Sequence, residues 1–205
     1  MKKALGVWML AVLVGAFALA RGEASAWAEV YAQGRLVAQG TLDQAFRGQV
    51  QGQGEVRLTL EGRAYTFATA EVGRTLGEVQ VWVNGQAQAL ARVAAELASA
   101  FRGEKNLALF LEGDRVVGLV EVHPKARVSA EGATRVVLIV GGDERTLEVV
   151  HAGSAVVDVV VRVDGQARGL LEVAFGGSGQ GGTSGGAGGR GGVGIGIGIG
   201  IGLGR

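Results

Sequence analysis

The sequence predicts a mainly all-β fold: two tandem duplicated small antiparallel β-sandwich or barrel domains, one short bridging helix and a glycine-rich C-terminal tail. Three observations carry that expectation. Residues 55–93 align with 135–173 at a constant offset of 80 without a gap, and 13 of the 39 positions are identical. Short Val- and Leu-rich runs are punctuated by glycine turns at close spacing, the pattern of antiparallel β structure. No regular alternation of strands with crossover helices is present, which argues against a parallel sheet.

The elements can be placed in order. Residues 1–20 read as an export signal: Met1-Lys2-Lys3 is a basic start, Ala4 to Ala20 carries no charge, and Ala18-Leu19-Ala20 offers the small residues of a cleavage site. Ala24-Ser25-Ala26 and Ala26-Trp27-Ala28 are rival sites, so cleavage as late as residue 28 fits too. The first β domain then spans 27–105. Its hairpins are Glu29–Ala32 with Leu36–Leu42 around Gln33-Gly34, and Val56–Leu60 with Ala64–Thr69 around Glu61-Gly62. The third turns at Asn84-Gly85. Asn-Gly tolerates the positive φ angles that a two-residue hairpin demands.

Leu90, Val93, Ala94, Leu97 and Phe101 fall at helical spacing, predicting a bridging helix over about 87–102. The second domain, 106–175, repeats the plan. Its hairpins are Leu107–Leu111 with Val116–Val122 around Gly113-Asp114, and Val136–Val140 with Arg145–Val150 around Gly141-Gly142-Asp143. Its third turn is Asp164-Gly165. Where the first copy has its helix, Gly169-Leu170-Leu171-Glu172-Val173 is a shorter run opened by glycine, and a strand is expected there. Such a repeat occurring twice reads as tandem domains, since a solenoid needs at least three copies.

Beyond residue 175 the composition changes. Of 38 glycines, 17 lie in the last thirty residues. Residues 176–192 have the composition of a flexible linker. Residues 193–205 then alternate strictly, with Val193, Ile195, Ile197, Ile199, Ile201 and Leu203 separated by glycines. On a strand all six branched side chains lie on one face. A helix would carry glycine at every second position at about 1 kcal/mol each.

Burying six such side chains is worth roughly 9–18 kcal/mol. Fixing eleven backbones costs about 11–22 kcal/mol, so the strand needs an acceptor edge. Ladder hydrogen bonds of about 0.5–1.5 kcal/mol each then tip the balance. The expected mode is similar to strand donation in bacterial surface fibres.

Function classes narrow accordingly. There is no cysteine, which removes disulfide scaffolds, thiolate zinc sites and cysteine nucleophiles. Without Lys2 and Lys3, 18 basic residues face 19 acidic ones, and no Lys/Arg cluster offers a nucleic-acid face. A metal site could be drawn from Glu121, His123 and His151. The repeat puts Thr41, Asp43 and Glu71 there instead, so no metal and no cofactor is expected. Ser129 and Ser154 lack a nucleophile elbow, and no enzyme activity is expected. The glycine fingerprint at 177–182 opens no helix and is discarded.

Alternation of Val79, Val81 and Val83 toward a core turns Gln80, Trp82 and Asn84 outward as a possible ligand platform. The leading expectation is an exported structural or assembly protein of the cell envelope or surface. It would self-associate, or join another envelope β protein, through its Gly/Ile strand. The alternative is a secreted non-catalytic module binding carbohydrate or protein, with a disordered tail. Membrane contact by the tail is the less favoured partner.

Overall fold

The computed structural model describes residues 26–48 and 54–176. The signal segment 1–20 and the tail residues 193–205 lie outside the described residues. The first half contains β1 (Trp27–Ala32), β2 (Arg35–Thr41), β3 (Gly54–Leu60), β4 (Arg63–Glu71), β5 (Gln80–Val83), β6 (Gln86–Ala89) and helix α1 (Leu90–Phe101). The second contains β7 (Leu107–Glu112), β8 (Arg115–Glu121), β9 (Arg135–Val140), β10 (Asp143–His151), β11 (Val160–Val163), β12 (Gln166–Gly169) and helix α2 (Leu170–Phe175). A 3₁₀ turn precedes β5 at Leu76–Glu78 and β11 at Val156–Asp158.

All six expected hairpins form. Their turns show why these residues were chosen: Asn84 has φ 53° and Gly85 φ 70°, while Asp164 has φ 50° and Gly165 φ 78°. Both central residues lie in the left-handed region, as a two-residue hairpin turn requires. Within the halves the strands pair in the same order, β2-β1-β3-β4-β5-β6 and β8-β7-β9-β10-β11-β12. The registers coincide at the offset of 80. Trp27 faces Thr59 as Leu107 faces Ile139, and one irregularity falls between Val30 and Tyr31, another between Phe110 and Leu111.

The expected pair of separate sandwiches is not what the strands build. They join in one open twelve-stranded sheet. The joint is a parallel pair, Thr66 with Arg115 and Phe67 with Val116, where an antiparallel fold was expected throughout. β4 is long enough to fork: its other edge holds β3, while its end from Thr69 onward holds β5. Pairing of strands this distant in sequence leaves no periodic signal. The boundary expected at 105/106 falls in the short link between α1 and β7, and the sheet continues across it.

α1 fills the space between the halves. Leu90, Val93, Ala94 and Leu97 of the expected stripe are buried, as is Ala100, while Phe101 at the end of the stripe is half-buried. They share one core with Val56, Leu58 and Phe67 of the first half and Leu107, Leu109, Leu119, Val137 and Ile139 of the second. The helix closes with a glycine cap: Gly103 (φ 74°) donates to the Ala100 carbonyl, and the Glu104 N–H reaches the Ser99 carbonyl. A second core gathers Phe110, Val136, Leu138, Val156, Val161 and Leu170. Of residues 169–173, expected as a strand, those from Leu170 on belong instead to the short helix α2. Gly169 stays in β12, and the first turn begins after it.

Candidate functional site

The three platform residues divide. Trp82 is 47% exposed on β5, as the alternation requires, and Gln80 beside it donates to the Glu78 carbonyl at 3.2 Å. Asn84 is engaged elsewhere. Its Nδ2 donates to the Leu119 carbonyl at 2.6 Å, its Oδ1 accepts the Leu119 N–H at 3.1 Å, and its own N–H reaches the Val117 carbonyl at 2.9 Å. The turn of the third hairpin thus acts as an amide bracket on β8. Sequence alternation missed this, because a side chain in a left-handed turn no longer follows the strand's two-residue period.

The bracket belongs to a built junction between the halves. Tyr65 Oη donates to Glu144 Oε2 at 2.9 Å, and Arg63 Nε lies 2.8 Å from the same oxygen. The Arg63 guanidinium sits 4.4 Å above the Phe101 ring, which stacks with Tyr65 at 6.5 Å between centroids. Burial pushes the Tyr65 phenol far above its ordinary value, and the Glu144 carboxylate adds to the rise. The C-terminal half of α1 lies over this place. A Cβ on Gly142 would meet the Phe101 carbonyl at 2.7 Å, so the β9–β10 turn approaches the helix end closely.

The same surfaces at the two ends of the molecule differ. In the second half, Leu107, Leu109, Leu111, Leu119, Val137 and Ile139 face the junction and are buried. Their counterparts in the first half are Trp27, Glu29, Tyr31, Gln39, Arg57 and Thr59, a largely polar face, with Tyr31 Oη donating to Glu29 at 2.8 Å. That face suits water. The opposite end of the molecule does not.

There, α2 stops at Phe175, which is 53% exposed, where the first half continues its helix through Leu97, Ala100 and Phe101. An open groove results, with a volume of about 320 Å³, lined by Leu138, Val140, Asp143, Arg145, Val173 and Phe175. Leu147, the counterpart of the fully buried Phe67, is only half-buried. The stretch of β10 at Thr146–Leu147, equivalent to the stretch of β4 that receives β8, has no strand on that edge among the described residues.

The signal for this groove was readable. At the offset of 80, Leu97, Ala100 and Phe101 become Gly177, Gln180 and Gly181.

The histidines are at other places. His151 ends β10, and His123 Nδ1 accepts the Lys125 N–H at 3.2 Å. Among the described residues no three His, Cys, Asp or Glu side chains are grouped to hold a metal, and no helix is long and apolar enough to cross a membrane. The residues Val193, Ile195, Ile197, Ile199, Ile201 and Leu203 lie outside the described residues. Compared with models of protein families, with curated proteins and with solved structures, the chain gives no match.

Proposed function

We propose that this chain is an exported structural or assembly protein of the cell envelope or surface, acting by addition of its Gly/Ile strand to an open β-sheet edge. The observation that carries the reading is the open sheet itself. Its edges are unpaired among the described residues, and on the terminal strand β2 Leu36 is 48% exposed. An open edge is a template for another strand. The sequence supplies a strand of matching chemistry, six branched side chains on one face, at the end of a glycine linker.

The two halves are read as copies of one duplicated unit. Common strand order, register and irregularities at the offset of 80 support that reading. Export rests on the basic start, the uncharged run and Ala18-Leu19-Ala20. N-terminal sequencing of secreted material tests it, with an expected start between Arg21 and Glu29. An intact Met1 counts against export.

Size-exclusion chromatography of the mature protein, with and without residues 176–205, tests assembly. The tail-bearing form is expected to elute as larger, concentration-dependent species. Equal monomeric elution of both forms contradicts it. Trp82 favours a second reading, a secreted module binding carbohydrate or protein, because an exposed indole beside the Gln80 amide suits stacking on a sugar ring or anchoring an interface.

A further inference from the structure

We infer that the acceptor for the Gly/Ile strand is the open edge of β10 at Thr146–Leu147 together with the groove beside it, and that in the isolated molecule the occupant is the chain's own tail. The inference rests on the strand-addition reading and names its acceptor. The molecule carries a template for the arrangement. In the first half the equivalent edge of β4, at Thr66–Phe67, receives β8 as a parallel strand, and the apolar side chains around it are buried. In the second half Leu147, Val163 and Val173, counterparts of the buried Phe67, Val83 and Val93, are only partly buried. A strand laid on β10 as β8 lies on β4 would cover them.

Three occupants compete for that edge, and the residues separate them. The β2 strand of a second copy would reproduce the junction by simple repetition. However, the face that would have to follow it carries Glu29, Gln39, Arg57 and Thr59 where the junction carries leucine, valine and isoleucine. Burying those groups without partners is costly. The bracket has changed as well. Asp164 stands in place of Asn84, and a carboxylate has no N–H to donate to a strand carbonyl. An unrelated strand is a second possibility, with nothing in the molecule to specify it.

The tail fits on three counts. As a strand it would carry its branched side chains on one face, matching an edge whose groove side carries Leu147 and Val149 beyond Asp143 and Arg145 and whose other side carries the exposed Thr146. The chain leaves α2 at Phe175 in the groove lined by Asp143 and Arg145, at the start of β10. A strand entering there and running along the edge is parallel to β10, as β8 is to β4. The span is also short. Thr146 lies three residues beyond Asp143, roughly 10 Å along the strand, whereas seventeen glycine-rich linker residues reach about 20–25 Å. A linker that long places the tail at millimolar effective concentration over its own edge, ahead of a neighbour's at lower protein concentrations. Association between copies is then an exchange of tails.

Because the natural chain has no cysteine, disulfide trapping is clean. Thr146→Cys is combined in the full chain with a second cysteine replacing Gly194, Gly196 or Gly198, and in parallel with one replacing Ile195, Ile197 or Ile199. The tail glycines share the outer face with Thr146, so the glycine series is expected to form an intramolecular disulfide, independent of protein concentration. The isoleucine series is expected not to. Equal linking in both series overturns the inference, because the tail then has no fixed face on β10.

No link in either series, with tail-dependent oligomers still seen by chromatography, overturns the acceptor while the assembly reading stands. An intramolecular link without association at any concentration upholds the acceptor and removes self-assembly. Thr146→Cys linking instead to Arg35→Cys of another copy overturns the inference in favour of head-to-tail repetition.

Discussion

The two helices of this molecule start alike and end differently. Leu90 and Leu170 are both fully buried, and each donates its N–H to the carbonyl of the residue just before the third hairpin, Val79 or Val159. After that, α1 runs twelve residues and closes on a glycine cap, while α2 stops after six. Glycine costs about 1 kcal/mol per helical position relative to alanine, and glycines stand at 176 and 177, where α1 has Glu96 and Leu97. The difference teaches that neither half completes its core with its own strands alone. In the first half the rest of α1 and the second half cover it. In the second half a groove is left at the same place.

That comparison can be broken most severely at its centre. Phe67→Ala removes a fully buried ring and is expected to cost about 3–5 kcal/mol. The counterpart Leu147→Ala, half-buried, is expected to cost less than about 1.5 kcal/mol in a chain whose tail has been removed. Urea unfolding measures both, and equal costs would mean that the second edge is as well covered as the first.

A reciprocal exchange of turn residues comes next. Asn84→Asp keeps a residue tolerant of the left-handed turn but removes the donor to the Leu119 carbonyl, with an expected loss of about 1–3 kcal/mol. Asp164→Asn is expected to change stability by no more than about 0.5 kcal/mol. Similar effects at both positions would show that the turn, and not the bracket, matters at Asn84.

The junction should also show in alkaline titration. The Tyr65 phenol is raised in the folded state, by burial first and by Glu144 second. Its contribution is therefore fully present below the unfolded value near pH 10 and is lost as pH rises beyond it. Stability above about pH 10 is expected to fall more steeply in the parent than in Tyr65→Phe. Parallel curves would remove Tyr65 from the account.

The smallest expected effect is a gain. Thr69 Oγ1 is buried without a hydrogen-bond partner, and the second half has Val149 in its place. Thr69→Val is expected to be neutral or to stabilise by up to about 1 kcal/mol, read as a midpoint shift in urea. A clear loss would mean that the hydroxyl has a partner.

Much of this architecture was legible in the chain, for local reasons. Turn residues with positive φ and alternating valines located every hairpin, and the spacing of Leu90, Val93, Ala94 and Leu97 located α1. What was not legible is non-local. Nothing in the local pattern of Thr66-Phe67 announces a parallel partner at Arg115-Val116, so one open sheet was not foreseen. The Asn84 bracket was hidden for the same reason, since Leu119 lies 35 residues away.

A loop correspondence escaped as well. The Phe46 N–H reaches the Arg74 carbonyl as the Val128 N–H reaches that of Ser154, an equivalence shifted by two residues from the offset of 80. The candidate acceptor was partly legible. Replacement of Leu97 and Phe101 by Gly177 and Gly181 marks a missing cover, but its position beside β10 required the sheet.

Amide hydrogen exchange on the full chain tests the central claim, that the tail closes the open edge of the second half, most directly. It should be compared between the parent and the double variant Ile197→Asp, Ile199→Asp, which puts two charges on the face expected to dock. The account predicts faster exchange in the double variant within residues 143–149 and around the groove at 173–175, with the equivalent stretch 63–69 unchanged. Identical exchange in the two proteins across 143–149 would contradict it.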